Sequence, residues 1–156
     1  MIKMVRVDHR LLHGQVAFSW TSTLSVDCIL IADDDTAKND LKKSAMKLAK
    51  PNGVKLVIKT VDKAIESLNE GVTDKYNLFI VVANIESAEK LISGYPEIKQ
   101  LNLGGTLPSK DKVNISKVIS ITENERALLK KMIRQGVDIN IQMVPSDTKI
   151  NVKNLI

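Results

Sequence analysis

Apolar residues in this chain alternate between two patterns: short continuous runs, and stretches that repeat every three to four positions. Residues 2–7, 26–32, 54–58, 78–83 and 98–103 form the runs. VDCILIA (26–32) and LFIVVA (78–83) are almost wholly apolar, as strands covered on both faces should be. Between the runs, helical spacing places Val16, Ala17 and Trp20 on one face of a helix over 16–24. A second helix, capped by Asp35 or Thr36 and ended by Pro51 and Gly53, carries Ala37, Leu41, Ala45 and Leu48 as its inward stripe. Val61, Ala64, Ile65 and Leu68 mark a third, ending near Gly71. Ile85, Ala88, Leu91 and Ile92 mark a fourth, stopping before Gly94 and Pro96. A loop is expected over 104–108 and extended chain over 113–121. Thr122 then opens a helix through Ala127, Leu128, Met132 and Ile133, ended by Gly136. Val137, Ile139, Ile141 and Met143 alternate as a half-exposed strand does, and Pro145 closes it.

That succession predicts an α/β fold: an open, mostly parallel, doubly wound sheet of about seven strands, with helices on both faces and right-handed crossovers. Such sheets bind ligands beyond the carboxyl ends of their strands, where the strand order reverses. No internal repeat or linker interrupts the pattern, so one domain covers 1–156.

Composition narrows the class. With 44% hydrophobic residues the 156-residue chain is not disordered, and no run approaches a membrane span. Lys3, Arg6 and Asp8 break any signal-peptide core, so a cytoplasmic location is expected. A single cysteine, Cys28, excludes an internal disulfide and a cysteine-clustered metal site. The net charge of +5 invites a nucleic-acid reading. The lysines are dispersed among acids, however, and two Phe, two Tyr and one Trp are too few for a stacking platform. The basic balance reads instead as a solvated surface favouring an acidic or phosphorylated partner.

The chemistry concentrates in Asp8-His9-Arg10-Leu11-Leu12-His13-Gly14-Gln15, between the first strand and the first helix, where both histidines of the chain lie. A helix start exposes unpaired N–H groups and a positive dipole end, which attract anions. Arg10 adds a planar fork of donors suited to phosphate oxygens. A neutral imidazole can serve as nucleophile or phosphoryl carrier. Three readings compete. Two histidines four apart suggest a metal, but no third ligand follows at a fixed spacing. His13 can simply cap the helix or satisfy a loop carbonyl. Phosphoryl transfer through histidine is the third.

Residues 6–16, RVDHRLLHGQV, with Trp20 close behind, resemble the N-terminal signature of the enzyme IIB component of the bacterial sugar phosphotransferase system, mannose/fructose/sorbose family. IADDD (31–35) with Lys38-Asn39-Asp40, AKPNGV (49–54), NLGG (102–105) and GVDINIQMVP (136–145) are similar to its later blocks, in order and over nearly the whole chain.

The resemblance implies a phosphotransferase that takes a phosphoryl group from a phosphohistidine on enzyme IIA onto its own histidine. The group then passes to a sugar carried by the membrane components IIC and IID. The family's histidine matches His13, the phosphorylated nucleophile, with Nδ1 the expected site. Arg10 would pair with the phosphoryl oxygens, and Asp8 would orient Arg10 or an imidazole. Backbone N–H groups at Gly14 and Gln15 would complete the anion cradle. Asp33, Gly104 and Gly105 stand at the same sheet end as candidate lining. Their alternatives are a helix start for Asp33 and a positive-φ turn for the glycines. Arg6 and Trp20 read as structural. His9 departs from the acid more usual in the family and reads as a loop-surface imidazole. No cofactor or metal is expected, since the energy arrives in the phosphohistidine; neither GxGxxG nor GxxxxGK[ST] occurs. A homodimer is compatible with such a chain, IIA is expected as a separate protein, and nothing in the chain names the sugar. The rival function is a non-catalytic regulatory module that senses phosphate or sugar on the same fold.

Overall fold

The computed structural model describes residues 1–156. A seven-stranded sheet runs in the order β3-β2-β4-β1-β5-β8-β9. Its strands are β1 (Ile2–Asp8), β2 (Cys28–Ala32), β3 (Lys55–Lys59), β4 (Leu78–Val82), β5 (Gln100–Gly105), β8 (Asp138–Ile141) and β9 (Ile150–Asn151). Every neighbouring pair is parallel except β8 with β9. The five residues of β2 and the five of β4 are all buried, as their unbroken apolar runs require.

The helices divide between the faces. Alternate strand residues sort accordingly: Cys28, Leu30, Leu78, Ile80 and Val82 pack with α4 (Val61–Glu70), α5 (Ile85–Gly94) and α6 (Glu123–Arg134). Ile29, Ile31, Phe79 and Val81 pack with α1 (Gly14–Thr23), joined by Met46 and Ala49 of α3 (Asp40–Ala49). The crossover after β1 leads away from β5, toward β2; the one after β5 leads away from β1, toward β8. The order therefore reverses between β1 and β5, and the loops leaving these two strands border one crevice.

The structure departs from the sequence reading in three places. The helix expected from Asp35 or Thr36 to Pro51 is two helices. The four-residue α2 (Asp34–Ala37) is capped by Asp33, and α3 by Asn39, whose side chain accepts from the Lys42 N–H. The break resets the helical phase. Leu41 and Leu48 are therefore 82% and 89% exposed, while Lys43, Met46 and Ala49 turn toward the sheet. Gly104 and Gly105 are the last residues of β5, not a loop, and neither has a positive φ. The extended stretch 113–121 is a small antiparallel ribbon, β6 (Val113–Asn114) with β7 (Ser120–Ile121). It is tied to the end of β5 by reciprocal hydrogen bonds between Thr106 and Ser120.

Candidate functional site

Asp8, the last residue of β1, is wholly buried, and the chain turns sharply beyond it. The Leu11 N–H donates to the Asp8 carbonyl at 2.8 Å, with Leu11 held at φ 59°, a conformation few non-glycine residues adopt. Gly14, at φ 36°, then admits the chain to α1, with open space where a Cβ would stand. His13 is the residue immediately before α1, in extended conformation, and no side chain caps the turn. The other five α-helices are each capped by a side-chain oxygen, from Asp33, Asn39, Thr60, Asn84 and Thr122. The first-turn N–H groups of α1, at Gly14 and Gln15, thus have no side-chain acceptor, and such groups attract anions.

The Asp8 carboxylate is the hub. Oδ2 lies 3.0 Å from Nε2 of His13 and accepts from Nη2 of Arg6 at 3.1 Å. Oδ1 accepts from the backbone N–H of Arg10 at 3.0 Å and from its Nε at 3.3 Å. Burial alone would push the Asp8 carboxyl up. The hydrogen bond with His13, the Arg10 N–H and the Arg6 charge more than offset it, and the net pKa falls below the usual carboxylate value. Asp8 is therefore ionised at neutral pH and can only accept hydrogen bonds. A neutral His13 must carry its proton on Nε2 and keep the Nδ1 lone pair free.

Arg6, the other charge of the hub, is 1% exposed. Burial pulls its pKa down and Asp8 pulls it back, but a guanidinium stays charged at any physiological pH. Its Nη1 donates to Oδ1 of Asn102 at 2.7 Å and to the Gln142 carbonyl at 3.1 Å. The Trp20 ring lies 5.8 Å from its Cζ, and Trp20 Nε1 donates to the Met143 carbonyl at 2.9 Å.

Each residue singled out from the sequence now has a place. His13, Arg10 and Asp8 meet in one hydrogen-bonded group, with a quarter of the His13 side chain and 42% of that of Arg10 exposed. Gly104 and Gly105 border a cleft of about 310 Å³ with His9, Arg10 and Lys117. Asp33 lies at the same sheet end, but its carboxylate is engaged by the Thr36 N–H and hydroxyl. His9 donates its backbone N–H to the Gly105 carbonyl at 3.1 Å, and its Nδ1 stands 4.0 Å from Asp8. No three His, Cys, Asp or Glu side chains converge where they could hold a metal. Arg6, Asn102 and the Gln142–Met143 carbonyls entered the site unannounced. The sequence signals were a charge inside an apolar strand, Arg6 in β1, and the places of Asn102 and Gln142-Met143 in the NLGG and GVDINIQMVP blocks.

Fold and site together define a parallel α/β protein that presents an imidazole and an uncapped helix start at its switch point. Residues 2–156 match the family described as PTS system sorbose subfamily IIB component. A probable phosphotransferase enzyme IIB component of Streptococcus pyogenes is 31% identical, over all of this chain and 99% of that one. The mannose-specific EIIAB component of Escherichia coli is 28% identical over the whole of this chain, which spans 48% of that longer protein. The crystal structure of manxB from Thermoanaerobacter tengcongensis is 30% identical and superposes with a TM-score of 0.91, over 98% of this chain and 93% of that one. The chain belongs to the sorbose-type IIB components of the sugar phosphotransferase system. It is a transferase by class, and none of its helices is long and apolar enough to cross a membrane.

Proposed function

We propose that His13 carries the phosphoryl group, accepting it from a phosphohistidine of enzyme IIA and yielding it to a sugar held by the membrane components. The observation that carries this reading is the 3.0 Å contact between His13 Nε2 and the ionised Asp8. The neutral ring attacks through Nδ1. A new N–P bond forms, the donor's P–N bond breaks, and its electron pair returns to the donor imidazole. The His13 ring becomes cationic as it takes the group, and the Asp8 carboxylate stabilises that charge. Because the transition state is loose, positioning and hydrogen-bond donors supply most of the catalysis. The Arg10 guanidinium and the first-turn N–H groups of α1 are the donors at hand. In the onward step a sugar hydroxyl forms the P–O bond, the pair returns to Nδ1, and the hydroxyl proton is released to solvent. The fused mannose-specific relative supports a IIA donor, since its name joins the two parts in one protein.

Incubation with phosphorylated IIA should place one acid-labile phosphate per chain on His13, and His13→Ala should take none. Phosphate retained by that variant, or mapped to His9, would overturn the assignment.

A further inference from the structure

Arg6 reads as structural from the sequence, and its surroundings say more. A buried cation is retained only when its hydrogen bonds are met, and those of Arg6 run straight to the proposed reaction centre. The Asp8 oxygen that accepts from Arg6 Nη2 is Oδ2, the same oxygen that meets His13 Nε2. Two further anchors hold the guanidinium. Asn102 receives Nη1 on Oδ1, while its own Nδ2 donates to Asn140 Oδ1 and the Gln142 carbonyl, both at 3.1 Å, which fixes the orientation of the amide. The third element is Gly104. A Cβ there would stand 2.1 Å from Arg6 Cζ, 2.2 Å from Nη2 and 2.5 Å from Nε. The obstruction is the rigid planar head of a buried side chain, not a free end that can swing aside. Gly104 has no positive φ to require glycine, so this space is the reason for its lacking a side chain.

We infer that Arg6, seated in the side-chain space left by Gly104, is a positioning residue that locks Asp8 so that His13 keeps its proton on Nε2 and its lone pair on Nδ1. The inference rests on the His13 reading above, and it ties β1, β5 and the loop after β8 into one device that sets a tautomer.

Histidine-labelled protein separates the two. In ¹⁵N spectra recorded above the histidine titration range, wild-type His13 should show the Nε2–H tautomer. In Gly104→Ala, which removes no polar group, and in Arg6→Lys, the tautomers should mix. The rate of phosphoryl acceptance should then fall roughly 10- to 100-fold, the loss that follows when the hydrogen-bond partner orienting a metal-bound histidine is removed, taken here as the scale for an oriented imidazole. The double variant should be no slower than the slower single variant. A third measurement needs no variant: the wild-type Arg6 guanidinium nitrogens should shift as His13 is titrated or phosphorylated. Folded variants with the wild-type tautomer and only a lower melting temperature would overturn the inference. So would Arg6 signals that ignore His13, whatever the variants do. Phosphate found on another residue would instead sink the His13 reading and leave the tautomer result standing.

Discussion

Asp8 shows how one buried residue can serve stability and chemistry together. Its carboxylate accepts from two arginines and meets a histidine, so removing its charge strands Arg6 without a counter-ion. Asp8→Asn keeps the shape but presents an NH₂ where an acceptor is needed, favouring the wrong ring nitrogen of His13. Initial rates of phosphoryl acceptance should fall by roughly 10² to 10³, the usual cost of a well-placed electrostatic group. The same substitution has a pH signature. The folded-state pKa of Asp8 lies below its unfolded value, so its contribution to stability is full above the ordinary carboxylate pKa. That contribution drains away as pH falls from about 4. Denaturant titrations across this range should show wild type losing stability relative to Asp8→Asn. Parallel curves would contradict the assignment.

At the scale of elements, α3 teaches the most. Its leucines carry the spacing of a buried stripe, yet Leu41 and Leu48 are among the most exposed apolar side chains of the molecule. The Asn39 cap starts a new helix with its own phase, and that phase selects the face. Leu41→Gln and Leu48→Gln should each change unfolding free energy by no more than ~0.5 kcal/mol, as surface substitutions do. Leu91 of α5, at 0% exposure, should cost about 2–5 kcal/mol when cut to alanine. Urea unfolding of the three variants checks the contrast. A large loss at Leu41 or Leu48 would mean that the stripe is packed after all.

For the whole molecule, the site is an assembly of segments remote in sequence. Arg6 bonds a residue 96 positions away in Asn102 and another 136 away in Gln142. The sheet edge beside that last segment is closed by β9, and Val152 beyond it is fully buried against the core. Deleting residues 150–156 removes an antiparallel edge strand together with this side chain. It should cost at least the ~1.5–3 kcal/mol of burying one valine, read as a lower midpoint in urea. An unchanged midpoint would show that the tail is dispensable.

Periodicity and punctuation alone specify the alternation of strands and helices, because a strand buried on both faces needs an unbroken apolar run and a surface helix needs a stripe. The same logic places the Asp8–Gln15 loop at the end of the first strand, and it brings both histidines to notice. What they leave open is phase and partnership. Where a helix breaks decides which side faces inward, and a one-residue cap such as Asn39 is enough to change it. That Gly104 is vacant for Arg6, and that Asn102 and the Gln142 carbonyl anchor its guanidinium, depend on parallel pairing of β1 with β5 and on the position of the chain after β8. Contacts of that kind join residues a hundred positions apart, and only the folded chain decides them.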